Sequence, residues 1–226
     1  GVNDMKLIKT SLLNAALVAA GLLCSAQAGA FTLTFEGVGD YADIQNFYNG
    51  GTDSLGNSGP NYGVQFVDAL GLVDADNGGN GNFANEPTPN TIMFFLNAAT
   101  AVLDYAAGFT TGFSFYYTSA TVATVSVYDA LGGAAGGGNI LGSLNLTAQY
   151  TDNCVGDPSG TFCNFTPVGV AFGGTAYSID FGGTANQTGY DNITFGSVNP
   201  NIPEPGTLAL LGIGALAFCA RRKVQA

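Results

Sequence analysis

The segment Phe31-Thr32-Leu33-Thr34-Phe35 alternates apolar residues with threonine along its whole length. Successive side chains of a β-strand point to opposite faces, so this pattern predicts a strand with one buried face. The same alternation, or a short run rich in β-branched and aromatic residues, recurs along the chain between turn-forming stretches. These further segments are 64–66, 91–96, 102–105, 113–115, 125–127, 140–146, 168–172, 178–181 and 190–195. The predicted fold class is therefore all-β.

Glycine, asparagine and aspartate fill the gaps between these segments and supply the positive φ angles that tight turns require. Residues 31–202 show no 3.6-residue apolar period typical of an amphipathic helix. Roughly ten or eleven short strands within the usual length of one domain favour a single β-sandwich that is jelly-roll-like. We expect this domain at residues 29–200, flanked by an N-terminal signal helix within 1–28 and a C-terminal hydrophobic helix within 201–226.

The charge distribution is strongly asymmetric. No Lys, Arg or His occurs between residues 31 and 202, whereas all of the sixteen acidic residues except Asp4 and Glu204 lie there. Without cationic side chains this region cannot neutralise phosphates, which excludes nucleic-acid binding. The absence of His and Lys also excludes Ser-His-Asp, Cys-His and Schiff-base catalysis. Only a carboxylate pair, as in glycoside hydrolysis, is left, and we expect that the protein is not an enzyme.

The C-terminal tail has three parts in order. Pro203-Glu204-Pro205 precedes an apolar run from Leu208 to Ala220, which is followed by Arg221-Arg222-Lys223. The apolar run spans about 20 Å as a helix, against roughly 30 Å for a bilayer core. We therefore expect transient membrane insertion, with the basic residues on the cytoplasmic side and the Pro-Glu-Pro motif on the far side.

This tail closely resembles the PEP-CTERM sorting signal of Gram-negative bacteria. The resemblance implies that an exosortase recognises Pro203, Glu204 and Pro205, with Arg221 and Arg222 forming the basic end of the signal. It also implies an exported protein at the cell surface, in the outer membrane or in the extracellular matrix, associated with exopolysaccharide. A plain C-terminal anchor helix is the alternative that hydropathy alone leaves open.

Residues near the N-terminus have the composition of a secretory signal peptide. Lys6 and Lys9 give a positive start, Leu12–Cys24 is mainly apolar, and Ser25-Ala26-Gln27-Ala28 has the small residues of a cleavage site. We expect signal peptidase to cleave after Ala28, with cleavage after Ala30 as the second choice. The four residues before Met5 are interpreted as an upstream extension.

Two cysteines, Cys154 and Cys163, lie within the exported region on either side of a Gly-Asp-Pro-Ser-Gly turn. An oxidising compartment favours a disulfide between them. A metal site would need further ligands. The bridge would close a short loop and contribute roughly 2–3 kcal/mol.

One candidate Ca²⁺ site is the loop from Asp74 through Asp76 to Asn82, with Glu86 shortly after it. Hard cations prefer several oxygen ligands on a flexible loop. The spacing departs from that of an EF-hand, and the alternative is a solvated loop rich in glycine and asparagine.

A second candidate metal site pairs the two ends of the domain. Glu36 follows the first strand segment, and Asp191 lies in the last. This is similar to many secreted jelly-roll domains, in which the first and last strands lie side by side and share a structural Ca²⁺. The alternative is that both carboxylates are surface residues at strand ends.

Aromatic residues in polar loops suggest a carbohydrate site, for which Tyr48 and Tyr62 are the leading candidates. The alternative is that the Phe and Tyr residues belong to the core. The function expected from the whole sequence is a structural or adhesive protein of the cell surface or extracellular matrix. The alternatives are a secreted carbohydrate-binding module and, with less support, a glycosidase that uses two carboxylates.

Overall fold

The computed structural model describes residues 31–152, 155 and 161–200, and strands make up most of the regular structure in this part of the chain. Eleven strands confirm the predicted all-β class. In chain order they are β1 (Thr32–Leu33), β2 (Val64–Val67), β3 (Leu70–Val73), β4 (Thr91–Phe94), β5 (Thr100–Phe109), β6 (Gly112–Ser119), β7 (Ala123–Tyr128), β8 (Ile140–Leu146), β9 (Thr166–Ala171), β10 (Ala176–Gly182) and β11 (Thr188–Phe195). The predicted terminal helices lie outside the described residues. Within the described part of the chain, no helix has the length and apolar character needed to span a membrane.

The strands form two antiparallel sheets packed as a sandwich. One sheet has the order β3-β4-β11-β6-β9, with β1 also paired to β11, and the other has the order β2-β5-β10-β7-β8. From β4 onward, β4, β6, β9 and β11 belong to the first sheet and β5, β7, β8 and β10 to the second. This is a jelly-roll arrangement and confirms the predicted β-sandwich. It makes the first and last strands neighbours, with Leu33 opposite Ile193.

The core between the two sheets is largely aromatic. Phe115 of β6 makes edge contacts with Phe181 of β10 and Tyr190 of β11, at ring-centroid distances of 5.7 and 5.6 Å. All three side chains are fully buried, and burying each contributes on the order of 1.5–3 kcal/mol. The Tyr190 hydroxyl donates to the Gly182 carbonyl at 2.9 Å, so its polar end is satisfied.

A smaller apolar cluster lies on the other face of the six-stranded sheet. Met93 of β4 belongs to the main core, whereas its neighbours Ile92 and Phe94 pack with Leu72 and Phe83. Because adjacent residues of a strand point to opposite faces, this second group lies outside the sandwich. We call Leu72, Phe83, Ile92 and Phe94 the outer cluster. Both faces of β4 are therefore buried.

The buried carboxylate of Asp53 organises the long segment between β1 and β2. Its Oδ2 accepts hydrogen bonds from the Gly39 N–H (2.9 Å) and the Asn57 side-chain amide (2.8 Å). Its Oδ1 accepts from the backbone N–H groups of Leu55 (3.0 Å) and Asn57 (2.8 Å). Burial acts to raise the pKa of Asp53, but the four hydrogen bonds together outweigh it and lower the pKa. Amide N–H groups therefore stabilise the ionised Asp53 carboxylate, as a cationic side chain does in other proteins.

We expect Asp53→Asn to lower the free energy of unfolding by about 1–2 kcal/mol at pH 7. The new NH₂ group would face hydrogen-bond donors where the carboxylate now accepts. Chemical denaturation measures the change, and the exposed Asp68→Asn is the matched control.

The difference in free energy of unfolding between the unmodified chain and Asp53→Asn should depend on pH. Because the pKa of Asp53 is lowered in the folded state, its contribution is present above the unfolded value of 3.8 and is lost as pH falls through the folded value. The two proteins should therefore converge in acid. A difference that stayed constant down to about pH 2 would contradict this account.

Candidate functional site

The candidate site lies where β11 changes neighbours along one of its edges. Strand β4 pairs with residues 189–190 of β11, whereas β1 pairs with residues 193–194. Asp191 and Asn192 lie between these two pairings. The gap between β4 and β1 therefore opens this edge of β11 to the loops that follow β1 and precede β4.

On the opposite edge, β11 bulges away from regular pairing with β6. Asp191 lies opposite Tyr116 and Thr194 lies opposite Ser114, so β11 carries an extra residue at this point. Asn192 has a φ of 50°, in the left-handed region that asparagine tolerates better than most residues. Bulges redirect side chains, and here both Asp191 and Asn192 are fully buried.

Thr88 holds the Asp191 carboxylate from the loop before β4. Its N–H and hydroxyl donate to Asp191 Oδ2 at 3.2 and 2.9 Å, and the Asn192 N–H donates to Asp191 Oδ1 at 2.6 Å. The same hydroxyl lies 3.0 Å from Asn192 Oδ1 and 3.4 Å from the Thr34 carbonyl oxygen. A hydroxyl has a single hydrogen, so it serves only one of these three acceptors. The site therefore has more oxygen acceptors around Thr88 than this hydroxyl can satisfy.

Two further carboxylates approach from the flanking loops. Glu36 accepts a hydrogen bond from the Thr91 N–H (3.0 Å), and Glu86 accepts one from the Asn90 N–H (3.2 Å). The negative charge of Glu86 acts on Glu36, and that of Glu36 acts on Asp191. We call Glu36, Glu86 and Asp191 the carboxylate site. No cationic side chain is available from residues 31–202 to neutralise it.

The surroundings disfavour the ionised forms of Glu36 and Asp191. Burial raises the pKa of Asp191 well above its usual 3.8, hydrogen bonds from Asn192 and Thr88 partly offset this, and the Glu36 charge raises it further. Burial also raises the pKa of Glu36, as does the charge of Glu86, against one hydrogen bond from Thr91. Holding Asp191 ionised at neutral pH is therefore costly without a counter-charge.

The loop predicted to bind Ca²⁺ closes mainly on itself. Asp74 caps a short 3₁₀ turn at Ala75–Asn77 through a 3.2 Å bond from the Asp76 N–H, and the Gly79 N–H bonds back to the Asp74 carbonyl at 2.9 Å. Within the described ranges, no group of three or more Asp, Glu or Cys side chains is placed to hold a metal ion. A Ca²⁺ site on this loop stays a prediction, while the charge of Glu86 acts on Glu36 instead.

The two tyrosines predicted to stack on sugars have different environments. Tyr48 is 2% exposed, its hydroxyl accepts from the Phe35 N–H at 2.7 Å, and its ring contacts Phe47 edge-on at 4.9 Å. Tyr48 is therefore closed to a sugar ring, which corrects its predicted role. Tyr62 is 38% exposed and stacks on Phe31 at 4.8 Å. A role for Tyr62 in carbohydrate binding stays a prediction.

Several predicted residues lie outside the described part of the chain. Cys163 is buried, but Cys154 falls in a segment that is not described, so the disulfide stays a prediction. The other predicted residues outside the described ranges are Pro203, Glu204, Pro205, Arg221 and Arg222.

Sequence reasoning missed Thr88 and Asn192, which make the closest contacts to Asp191. One local signal was present. Thr88 lies between Pro87 and Pro89, and each proline fixes its own φ and restricts the residue before it. A hydroxyl held on such a rigid segment is a candidate for a positioned hydrogen-bond donor.

We expect Asp191→Asn to melt at the same temperature as the unmodified chain, or higher, in excess EDTA at pH 7.5. The substitution places an NH₂ group among the N–H donors of Thr88 and Asn192, as at Asp53. At Asp191, however, it also removes a buried group whose pKa is raised in the folded state and whose ionisation is costly at pH 7.5, and this gain offsets the lost hydrogen bonds. Such a group favours the folded state most below its unfolded value of 3.8, and that contribution is lost as pH rises through the folded value. Calorimetry across pH should therefore show the variant's relative advantage growing from acid to neutral pH. Exposed Asp152→Asn is the control, and a variant that melts well below the unmodified chain at pH 7.5 would contradict the account.

Comparison with known proteins gives a match at the C-terminal tail. Residues 201–223 match the model of the PEP-CTERM protein-sorting motif, which confirms the resemblance of the tail. No curated protein matches the chain.

Several solved structures are similar to the chain at low identity. The K2 cleaved adhesin domain of Lys-gingipain is 11% identical with a TM-score of 0.48, and the alignment covers 75% of this chain and 100% of that one. The K1 cleaved adhesin domain of Lys-gingipain from Porphyromonas gingivalis W83 is 10% identical with a TM-score of 0.44, covering 74% and 98%. A CBM35 from Paenibacillus barcinonensis is 16% identical with a TM-score of 0.34, covering 60% and 94%.

The match of residues 201–223 to a sorting motif indicates where the protein is sent. The three parts of the tail, Pro203–Pro205, the apolar run and the basic end, all fall within the matched residues. The chain is therefore a protein that carries a PEP-CTERM sorting motif, which implies export and sorting by an exosortase.

Proposed function

We propose that this chain is a structural or adhesive protein of the cell surface or extracellular matrix, associated with exopolysaccharide, and that it is not an enzyme. The observation that carries the proposal is the sorting motif at residues 201–223. The domain adds support, because a strongly acidic surface without cationic side chains favours a soluble protein outside the cell, and its sandwich has a largely aromatic core.

The burial and hydrogen bonding of Asp191 support a non-enzymatic role. Asp191 is fully buried and its oxygens accept hydrogen bonds from Thr88 and Asn192. A glycosidase needs two carboxyl groups that flank an accessible glycosidic bond. Asp191 does not meet that requirement because it is buried. Glu36 and Asp191 therefore cannot act together as the carboxyl pair of a glycosidase.

Fractionation in a host that carries an exosortase tests the proposed location. We expect the protein to co-purify with exopolysaccharide and its mature C-terminus, read by mass spectrometry, to lie near residues 202–205. Replacing Pro203, Glu204 and Pro205 together by alanine should abolish processing, because it removes the recognised motif while keeping the apolar run. The matched control alters only Val224 and Gln225, beyond the motif. A processed alanine variant, or a protein that stays in the cytoplasm, would overturn the proposal.

We further propose that a structural Ca²⁺ ion is held at the carboxylate site by two carboxylates, Glu36 and Asp191, together with backbone and amide oxygens, since the described residues place no group of three carboxylates to hold a metal ion. Ca²⁺ takes six to eight oxygen ligands, including carboxylates, amide and backbone carbonyls and water. Asp191 and Glu36 offer carboxylate oxygens, and the Thr34 carbonyl oxygen lies within reach of the same Thr88 hydroxyl that contacts Asp191. The cation would also offset the repulsion between Glu36 and Asp191.

Asn192 fits the same proposal. Its Oδ1 faces the Thr88 hydroxyl, while its Nδ2 is buried without a hydrogen-bond partner among the described residues. A half-turn of the amide would let Nδ2 donate to Thr88 and would present Oδ1 as a free oxygen. An oxygen in that place is a ligand that Ca²⁺ accepts.

We expect the melting temperature of the domain to fall in excess EDTA and to recover when Ca²⁺ is restored. The recovery should be absent in Asp191→Asn, which lacks the buried charge, and intact in Asp76→Asn, which changes the separate loop. Differential scanning calorimetry measures both. A melting temperature that does not change in EDTA would contradict the proposed Ca²⁺ site. Full recovery of the melting temperature of Asp191→Asn on adding Ca²⁺ would contradict it too.

A further inference from the structure

Strand β8 forms one edge of the five-stranded sheet, and its outer side has no neighbouring strand in the described part of the chain. It is paired along its inner side with β7, and no other backbone hydrogen bond reaches residues 140–146 within the described ranges. Every second residue of an edge strand directs its N–H and C=O groups away from the sheet. The outer side of β8 can therefore pair with a further strand.

The opposite edge of the same sheet, formed by β2, is covered by residues 45–48. The Val64 N–H donates to the Tyr48 carbonyl oxygen at 3.2 Å. The Phe66 N–H donates to the Gln45 carbonyl oxygen at 2.9 Å. The outer side of β2 is thus already hydrogen-bonded to the chain itself.

The edges of the six-stranded sheet are protected as well. At β3 the Gly71 N–H donates to the Ala42 carbonyl oxygen, and the Gly71 carbonyl oxygen accepts from the Tyr41 N–H, both at 2.9 Å. Strand β9 contains Pro167, which has no N–H to offer a neighbour. Strand β1 is only two residues long. Covering loops, proline and short length are usual protections of edge strands.

Strand β8 has none of these three protections within the described chain. It is seven residues long, and no proline or charged residue occurs from 130 to 151. A bulge at Leu141 interrupts its pairing with β7, whereas residues 142–146 pair regularly. Because charges and bulges also blunt edges, residues 142–146 are the part of β8 that is open to pairing.

The two faces of this regular part differ in polarity. Ser143 and Asn145 are exposed on the outer face of the sheet. The Ser143 hydroxyl lies 2.9 Å from that of Ser126, and Asn145 Oδ1 accepts from the Thr124 hydroxyl at 3.2 Å. Leu144 packs against the main core on the inner face. A strand added at this edge would therefore meet polar groups on one face and apolar groups on the other.

Strand β9 approaches β8 through the core and not along its edge. Gly142 lies opposite the core residue Val127, so a side chain at Gly142 would point inward. A Cβ there would lie 3.1 Å from Val170 Cγ2 of β9. Strand β9 therefore packs beneath β8 and does not occupy the position of a sixth strand.

The charge distribution allows a second copy of the chain to meet this edge. A strongly acidic domain repels its own copies, so self-association requires a stretch of surface without carboxylates. Residues 130–151 provide that stretch along β8. Asp129 lies beyond residues 142–146, and its carboxylate accepts hydrogen bonds from the Asn139 N–H (2.6 Å) and side-chain amide (2.9 Å).

We propose that two copies of this chain join through β8, antiparallel about a two-fold axis at Leu144, so that two five-stranded sheets form one continuous sheet. This register places Ser143 of each copy opposite Asn145 of the other, where hydroxyl and amide can hydrogen-bond. An interface that uses the same surface of both copies closes as a dimer. The inference goes beyond the proposed function and does not depend on the location of the protein.

Sedimentation velocity of the full chain, in detergent and excess EDTA, tests the proposal. Detergent shields the apolar sequences near the chain ends, and EDTA removes cations that could bridge carboxylates. We expect a monomer–dimer equilibrium that shifts toward dimer as salt is raised to about 0.5 M, because salt screens the repulsion between acidic copies. A chain that stays monomeric at every salt and protein concentration would overturn the proposal, as would dimers that salt weakens.

Asn145→Glu should weaken the dimer about fivefold or more, because the proposed register brings the two new carboxylates to about 7–8 Å from each other. Thr124→Glu is the matched control. It adds the same charge on the same exposed face and removes the same contact between Thr124 and Asn145, but on β7. Its two carboxylates would be at least about 14 Å apart, across three strand spacings, so this variant should dimerise nearly as well as the unmodified chain. Equal weakening by the two changes would place the contact elsewhere and overturn the proposal.

Ser143→Lys provides a rescue that loss of folding could not imitate. Mixed with Asn145→Glu, it places the new ammonium group opposite the new carboxylate of the other copy. Mixed with Thr124→Glu, it gives a dimer of the same net charge without that pair. Native mass spectrometry should show mixed dimers about threefold tighter in the first mixture than in the second. Equal amounts of mixed dimer in the two mixtures would overturn the proposed pairing.

Discussion

The burial of Asp191 in a domain without a single cationic side chain is the constraint on which the rest of this structure depends. Ion pairing, the usual solution for a buried carboxylate, cannot occur within residues 31–202, which contain no Lys, Arg or His. The structure uses hydrogen bonds from amides and hydroxyls instead, as Thr88 and Asn192 do for Asp191. At Asp53 four such bonds suffice to lower the pKa, whereas at Asp191 burial prevails and the pKa is raised. The carboxylate site is thus where an external cation would have the largest effect.

The jelly-roll topology creates that site. Because β1 and β4 pair with different parts of the same edge of β11, a gap opens at residues 191–192. The bulge against β6 places Asp191 and Asn192 at that gap, and the segments on either side supply Glu36 and Thr88. A site of this kind joins the two ends of the domain, so a cation bound there would resist separation of β1 from β11.

Much of the fold could be predicted from the sequence, because the alternation of apolar and polar residues indicates a strand with one buried face. The segments around Phe113 and Val125 show this alternation, and both are strands. Strand β3, Leu70–Val73, was missed because its apolar residues do not alternate with polar ones, and both faces of its partner β4 are buried. The outer cluster was not foreseen, since it depends on a loop folding back over the sheet. That packing has no local signature.

The site was predicted only in part. The proximity of Glu36 and Asp191 in the fold follows from pairing the chain ends, which the sequence suggested. The partners that hold them, Thr88 and the Thr91 N–H, could not be read from residue types, because one is a common hydroxyl and the other is backbone. Tyr48 was misjudged because a tyrosine in a polar loop looks available, whereas its ring is buried within an aromatic cluster. Composition located the acidic domain but did not show which carboxylate is buried.

Native mass spectrometry of the full chain tests the central claim most directly, because it counts bound ions rather than inferring them from stability. We expect the unmodified protein to retain a single Ca²⁺ ion and Asp191→Asn to retain none under the same conditions. An unmodified chain that takes up no Ca²⁺, or a variant that takes up as much as the unmodified chain, would contradict it.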